Sequence, residues 1–167
     1  MPENHEIKNL RSIKPFVSSL FPTVKVEMRP SIGELIEDEQ IESVASSLAS
    51  ARVKDPTRSE QDFEPMYGEL DYERRVLEGE ARAGGILYDG RILEDIFSKI
   101  LRPKVDRASI VLTDRLVSTF SRDDLRHHLR TIVCGFPSIV SLPGIVEAPA
   151  KPREYYLIKQ KMELQGA

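Results

Sequence analysis

The chain has 167 residues, 40% hydrophobic and 31% charged, with a formal net charge of −3; this excludes a disordered polyelectrolyte and points to one globular domain, 1–167. The negative balance gives no overall attraction for nucleic acid or an anionic membrane, and no apolar run approaches the roughly 18 to 20 residues a membrane helix needs. A single cysteine, Cys134, excludes an intramolecular disulfide and a thiolate zinc cluster.

Leu10, Ile13, Val17 and Leu20 recur at helical spacing, so a short amphipathic helix is expected to about Phe21, capped by Ser12 with Pro15 in its first turn. Pro22 stops it. Val24, Val26 and Met28 then alternate with Lys25, Glu27 and Arg29, the period of a half-buried strand. Ile41, Val44, Ala45 and Leu48 return to helical spacing, with Asp38 and Glu39 favourably placed in the first turn.

Lys54 to Gly68 holds two prolines and no sustained period, which predicts a long surface excursion, the best candidate for a flexible or ligand-contacting loop. A short charged helix is expected around Tyr72 to Glu80. Ile86 to Tyr88 reads as a short buried strand, and Asp89-Gly90 turns it into a helix with Ile92, Leu93, Ile96, Phe97, Ile100 and Leu101 on one face. Ala108, Ile110 and Leu112 predict a central strand covered on both faces. Further β-prone runs are Leu116 to Phe120, Thr131 to Cys134, Ser138 to Leu142 and Ile145-Val146, cut short by Pro137, Pro143 and Gly144. Tyr155, Ile158 and Met162 mark a terminal helix with Pro152 near its start. The resulting class is α+β, a mixed sheet of about four to six strands flanked by three or four helices.

The blocks LTDRL at Leu112 to Leu116, CGFPSIVSLPGIVEAPAKPREYY from Cys134, and MYGELDYERRVLEGEARAGGILYDG from Met66 to Gly90 resemble an uncharacterised archaeal family described as metallopeptidases and distantly similar to the archaemetzincins. The resemblance implies the N-terminal part of a zincin-like fold, with IVCGFPSIVSLPGIVE as sheet preceding an active-site helix. It also implies a further helical region with cysteines and histidine beyond the REYY helix. The chain is therefore expected to be truncated at its C-terminus relative to that family. No His-Glu-x-x-His occurs in it, although that spacing is what brings two imidazoles and a general base to one metal. No cofactor is expected for the chain itself, zinc binding being reserved to ligands from a missing C-terminal region.

Asp123, Asp124, His127 and His128 are the one cluster of metal-capable side chains, and on a strand Asp124 and His128 share a face. Two ligands fall short of the three that a catalytic zinc normally needs, and Arg122, Arg126 and Arg130 favour ion pairing with the aspartates. Asp114 and Arg115 stand at a strand end, where functional groups collect; the competing reading is an Asp-stabilised turn whose Asp114, Arg115 and Arg126 form a charged network. Cys134 is expected in the core. Lys151 and Arg153 are a candidate anion site at a helix start. The polar start MPENHE lacks a signal core, so a cytoplasmic protein is expected. No specific partner is identified. Self-association or a protein partner is expected through an apolar face left uncovered by the truncation. The sequence thus leaves two functions open, a metallopeptidase-family member without peptidase activity in this chain and a non-enzymatic interaction domain.

Overall fold

The computed structural model describes residues 5–104 and 106–148, with backbone alone for 5–11. The terminal helix expected on Tyr155, Ile158 and Met162, and the anion site at Lys151 and Arg153, lie outside the described residues. The chain divides into two compact units, Met1–Ser31 and Ile32–Ala167.

In the first unit, helix α1 runs His5–Leu20 with Pro15 inside it. It thus starts earlier than a Ser12 cap would place it, and Pro15 sits in the interior, where its missing N–H removes one helical hydrogen bond. The strand expected at 24–28 is not one. The segment starts in a bend at Val24 and has no ladder partner among the described residues, and Val24 and Met28 are 55% and 52% exposed. Alternation fits a chain to the edge of a sheet; without an edge to join, its backbone is left to solvent.

The second unit opens with a short 3-10 turn, Gly33–Leu35, and helix α2, Asp38–Ser50, which buries Ala45, Leu48 and Ala49. The stretch that follows is irregular up to Met66. Helix α3, Tyr67–Leu77, comes earlier than expected. Glu69 reaches back from its first turn to accept from the Met66 N–H at 2.8 Å, and Gly79, at φ 77°, closes the other end in the left-handed conformation. Strand β1, Leu87–Asp89, and helix α4, Gly90–Leu101, form the expected strand, turn and helix. Asp89 caps α4 by accepting from the Arg91 N–H at 2.8 Å. Gly90 is required at the joint, because a Cβ there would stand 2.7 Å from both Val117 Cγ1 and Val133 Cγ2.

The remaining strands are β2 Ile110–Thr113, β3 Leu116–Ser121, β4 Arg126–Arg130, β5 Ile132–Val133 and β6 Ser138–Ser141, followed by helix α5, Leu142–Glu147. They make two three-stranded sheets, ordered β1-β3-β4 and β2-β6-β5, instead of one larger sheet. Each is mixed. β1 runs parallel to β3 and β3 antiparallel to β4, while β2 runs parallel to β6 and β6 antiparallel to β5. The α+β class stands. The split arises because the chain changes sheet at Asp114-Arg115 and again at Thr131, each time within two residues.

This places β2 at an edge, with Ile110 66% exposed, where a central strand was expected. An apolar run reads the same whether or not a neighbour covers its outer side. Ile145 and Val146 fall in α5, not a strand, because Ser141 Oγ accepts from the Gly144 N–H at 3.0 Å and Pro143 suits a first helical turn. The core joins α4 to both sheets through Leu93, Ile96, Phe97, Tyr88, Val111, Val117, Val133 and Ile139. Each fully buried aliphatic or aromatic side chain there is worth about 1.5–3 kcal/mol.

Candidate functional site

Among the described residues Glu73 is the charged residue buried most deeply, at 0% exposure. Leu70, Glu73 and Leu77 lie three and four apart on α3, so the helix carries Glu73 inward with its apolar stripe. Both oxygens of its carboxylate are engaged. Oε1 accepts from Arg52 Nε at 3.0 Å, Arg52 Nη2 at 2.7 Å and the Tyr88 hydroxyl at 2.6 Å, and Oε2 accepts from Arg115 Nη2 at 2.7 Å. Arg52 and Arg115 are themselves 8% and 5% exposed.

Local structure aims each donor. Arg52 is held by an isolated antiparallel bridge to Tyr88, and Arg115 stands where the chain passes from β2 to β3, its carbonyl fixed by the Ser141 hydroxyl at 2.8 Å. The Arg52 and Arg115 guanidiniums each lie 5.0 Å from a tyrosine ring centroid, those of Tyr72 and Tyr88. Burial pushes the Tyr88 phenol far above its ordinary range; Arg115 opposes this and the Glu73 carboxylate adds to it. Tyr88 is therefore a permanent donor. Every acceptor position on Glu73 that faces a donor is used, so the cluster ties α3, β1 and the β2–β3 junction together and leaves no free base.

A second polar pair lies under the 54–66 segment. His127 Nε2 stands 3.1 Å from the Arg58 carbonyl and Nδ1 3.1 Å from Ser118 Oγ. Facing a carbonyl, Nε2 must carry a proton, and the Ser118 hydroxyl that meets Nδ1 also reaches the Tyr88 carbonyl at 3.2 Å. Ser and His at this distance are the start of a nucleophilic arrangement, but Ser118 is 0% exposed and the outer ring nitrogen is held by a carbonyl where a carboxylate would be needed. The pair instead anchors the segment to β4, together with the His127 N–H donated to the Pro56 carbonyl at 2.7 Å. The segment is internally bonded too. Gln61 accepts from the Lys54 and Asp55 N–H groups and donates to the Asp55 and Arg58 carbonyls.

The residues expected to form a site are scattered. Asp124 and His128 do meet, His128 Nε2 lying 2.9 and 2.7 Å from the two Asp124 oxygens, but Arg126 Nε donates to the same carboxylate at 2.7 Å. His128 and then Arg126 hold the Asp124 carboxyl well below the usual carboxylate range. The network expected among Asp114, Arg115 and Arg126 does not exist: Arg115 turns inward to Glu73, Arg126 pairs with Asp124, and Asp114 is exposed. Cys134 is exposed, not in the core, because it follows the last residue of β5. Sequence reasoning missed Glu73, Arg52 and Tyr88. The available signal was a glutamate on the apolar stripe of α3.

The family model described as "Probable metallopeptidase family (DUF6775)" matches residues 2–167. The chain belongs to that family. No curated protein and no solved structure matches it. Membership in a metallopeptidase family raises the question of a metal, and the described residues of this family member do not fit one. A catalytic zinc takes three protein ligands and an open position, yet among the described residues no group of three His, Cys, Asp or Glu converges. His128 Nε2 and the Asp124 carboxylate are bonded to each other, with the Arg126 cation alongside. Among the described residues no helix is long and apolar enough to cross a membrane.

Proposed function

We propose that residues 32–148 of this metallopeptidase-family member are a structural support that hydrolyses no peptide by itself. The observation that carries this is saturation: Glu73, His127 and the Asp124–His128 pair, the groups best suited to acid–base or metal chemistry, are each bonded to partners inside the fold. The kinship with archaemetzincins rests on the sequence blocks from Met66 and Cys134, and the α+β class is compatible with it. A cytoplasmic location belongs to the same proposal, supported by the exposed free thiol of Cys134, which a reducing compartment keeps reduced. The test is metal analysis after dialysis, combined with a peptidase assay. Retention of less than about a tenth of a zinc per chain and no cleavage is the expected result. About one zinc per chain, lost in His128→Ala, would overturn it and restore Asp124 and His128 as ligands.

A second reading, a protein-interaction domain on the same scaffold, is favoured by one feature, the outer edge of β2, which no backbone covers among the described residues.

A further inference from the structure

Three-stranded sheets have edges, and an edge strand presents unpaired N–H and C=O groups that either are covered or attract another strand. Most edges here are managed. The outer side of β1 is met by the 51–53 segment, through Val53 N–H to Leu87 O and Asp89 N–H to Ala51 O, both at 2.8 Å. The outer side of β4 is met by Pro56, whose carbonyl accepts from the His127 N–H. β5 is only two residues long.

β2 differs. It has four residues, β6 lies on one side, and among the described residues no other backbone bonds to its outer side. Ile110 at its start is 66% exposed, and Phe136, 43% exposed, lines the open hollow beside it. Charge is arranged with the same polarity as the strand. The approach carries Arg102, Lys104 and Arg107 against Asp106, and the exit carries exposed Asp114. Among the described residues Arg107 makes one ion pair, a loose, exposed contact with Asp106 at 3.9 Å, which solvent screens heavily.

A strand that is basic where it begins and acidic where it ends is complementary to itself when reversed. We propose that β2 pairs antiparallel with β2 of a second copy of this chain about a two-fold axis, joining two three-stranded sheets into one of six strands. The arrangement sets Arg107 of each copy near Asp114 of the other at both ends of the ladder and buries the exposed Ile110 side chains. A parallel pairing would set like charges together. Four residues a side make a short ladder, below the size of an obligate interface, so the dimer is reversible and weak.

The proposal does not depend on metal content or hydrolysis, so its test is separate from theirs. Sedimentation equilibrium of the full chain at tens of micromolar should show a monomer–dimer mixture. Arg107→Glu and Asp114→Lys should each weaken self-association at least about tenfold, because each places like charges at both ends. Mixing the two variants should restore association as a heterodimer, since one then carries two acidic ends and the other two basic ends. Both side chains are exposed, so the fold is left intact, and recovery in the mixture confirms that it is. A monomer at every concentration, single variants that associate like the natural chain, or a mixture that stays monomeric would each overturn the proposal.

Discussion

Arg115 donates from Nη2 to Glu73 Oε2 at 2.7 Å across 42 residues of sequence, with side chains 6% and 0% exposed. Arg115 sits at the point where the chain leaves one sheet for the other, and Glu73 sits on the buried face of α3. Because Arg52 and Tyr88 share the opposite oxygen, the carboxylate fixes α3 against β1 and the sheet junction at once. A buried ion cluster of this kind contributes little net stability compared with well-packed apolar residues, but breaking it is costly. Its effect is to specify one arrangement of helix and sheets.

Glu73→Ala should therefore lower stability by about 3–5 kcal/mol, because it leaves the Arg115 guanidinium buried without its counter-charge and Arg52 with the looser Glu69 carboxylate at 3.7 Å. Tyr88→Phe, which removes one donor and no charge, should cost only about 1–2 kcal/mol. Chemical denaturation checks both. A Glu73→Ala loss no larger than that of Tyr88→Phe would mean the cluster is hydrated and not the fixed joint described above.

Asp114→Ala and Arg115→Ala should separate sharply. Asp114 is exposed, so its removal should change stability by no more than about 0.5 kcal/mol. Removing Arg115 strips Glu73 Oε2 of its donor and should cost about 2–4 kcal/mol. Equal denaturation midpoints for the two variants would contradict the inward placement of Arg115.

Much of the architecture was legible in the residues. The Asp89-Gly90 joint, the apolar face of α4 and the short β runs beginning at Leu116 and Ser138 follow from period and capping alone. Pairing was not legible. Val24 to Met28 alternates as well as any strand yet meets no edge, whereas Arg126 to Arg130, with no apolar alternation, forms β4 because β3 lies beside it. The candidate site was legible least. Neighbouring charges at 114–115 and 123–128 drew attention, while the cluster that forms is assembled from Arg52, Glu73, Tyr88 and Arg115, whose meeting depends on tertiary structure.

Asp124 should show itself in acid. His128 and Arg126 hold its folded carboxyl below the ordinary value of about 4, so the unfolded chain takes up the proton first. The stabilisation is present in full above that ordinary value and is lost as pH falls towards the lower folded value. Asp124→Asn should flatten the dependence of the unfolding midpoint on pH below about 4 and leave its shape at neutral pH unchanged. Carboxyl NMR gives the direct check: a titration midpoint for Asp124 at or above that of a free aspartate would refute the pairing with His128.

Gly90 gives the most local test of how the sheets and α4 fit together. It is the first residue of α4, and its missing Cβ is what lets the helix start pass between Val117 of β3 and Val133 of β5. Backbone conformation does not demand glycine here, since it is not among the glycines with positive φ, so the demand is one of space alone. Gly90→Ala forces a methyl into contacts of 2.7 Å with two core methyls and 3.2 Å with the Ser118 carbonyl. Neither valine can swing away cheaply, because Val117 is 1% exposed and Val133 5% exposed, and overpacking of this kind costs about 1–3 kcal/mol. The double variant Gly90→Ala with Val117→Ala should recover part of that loss by returning volume to the same spot, a coupling that thermal denaturation of the four-member cycle measures. Strict additivity would show that the helix start and the two sheets do not share this contact.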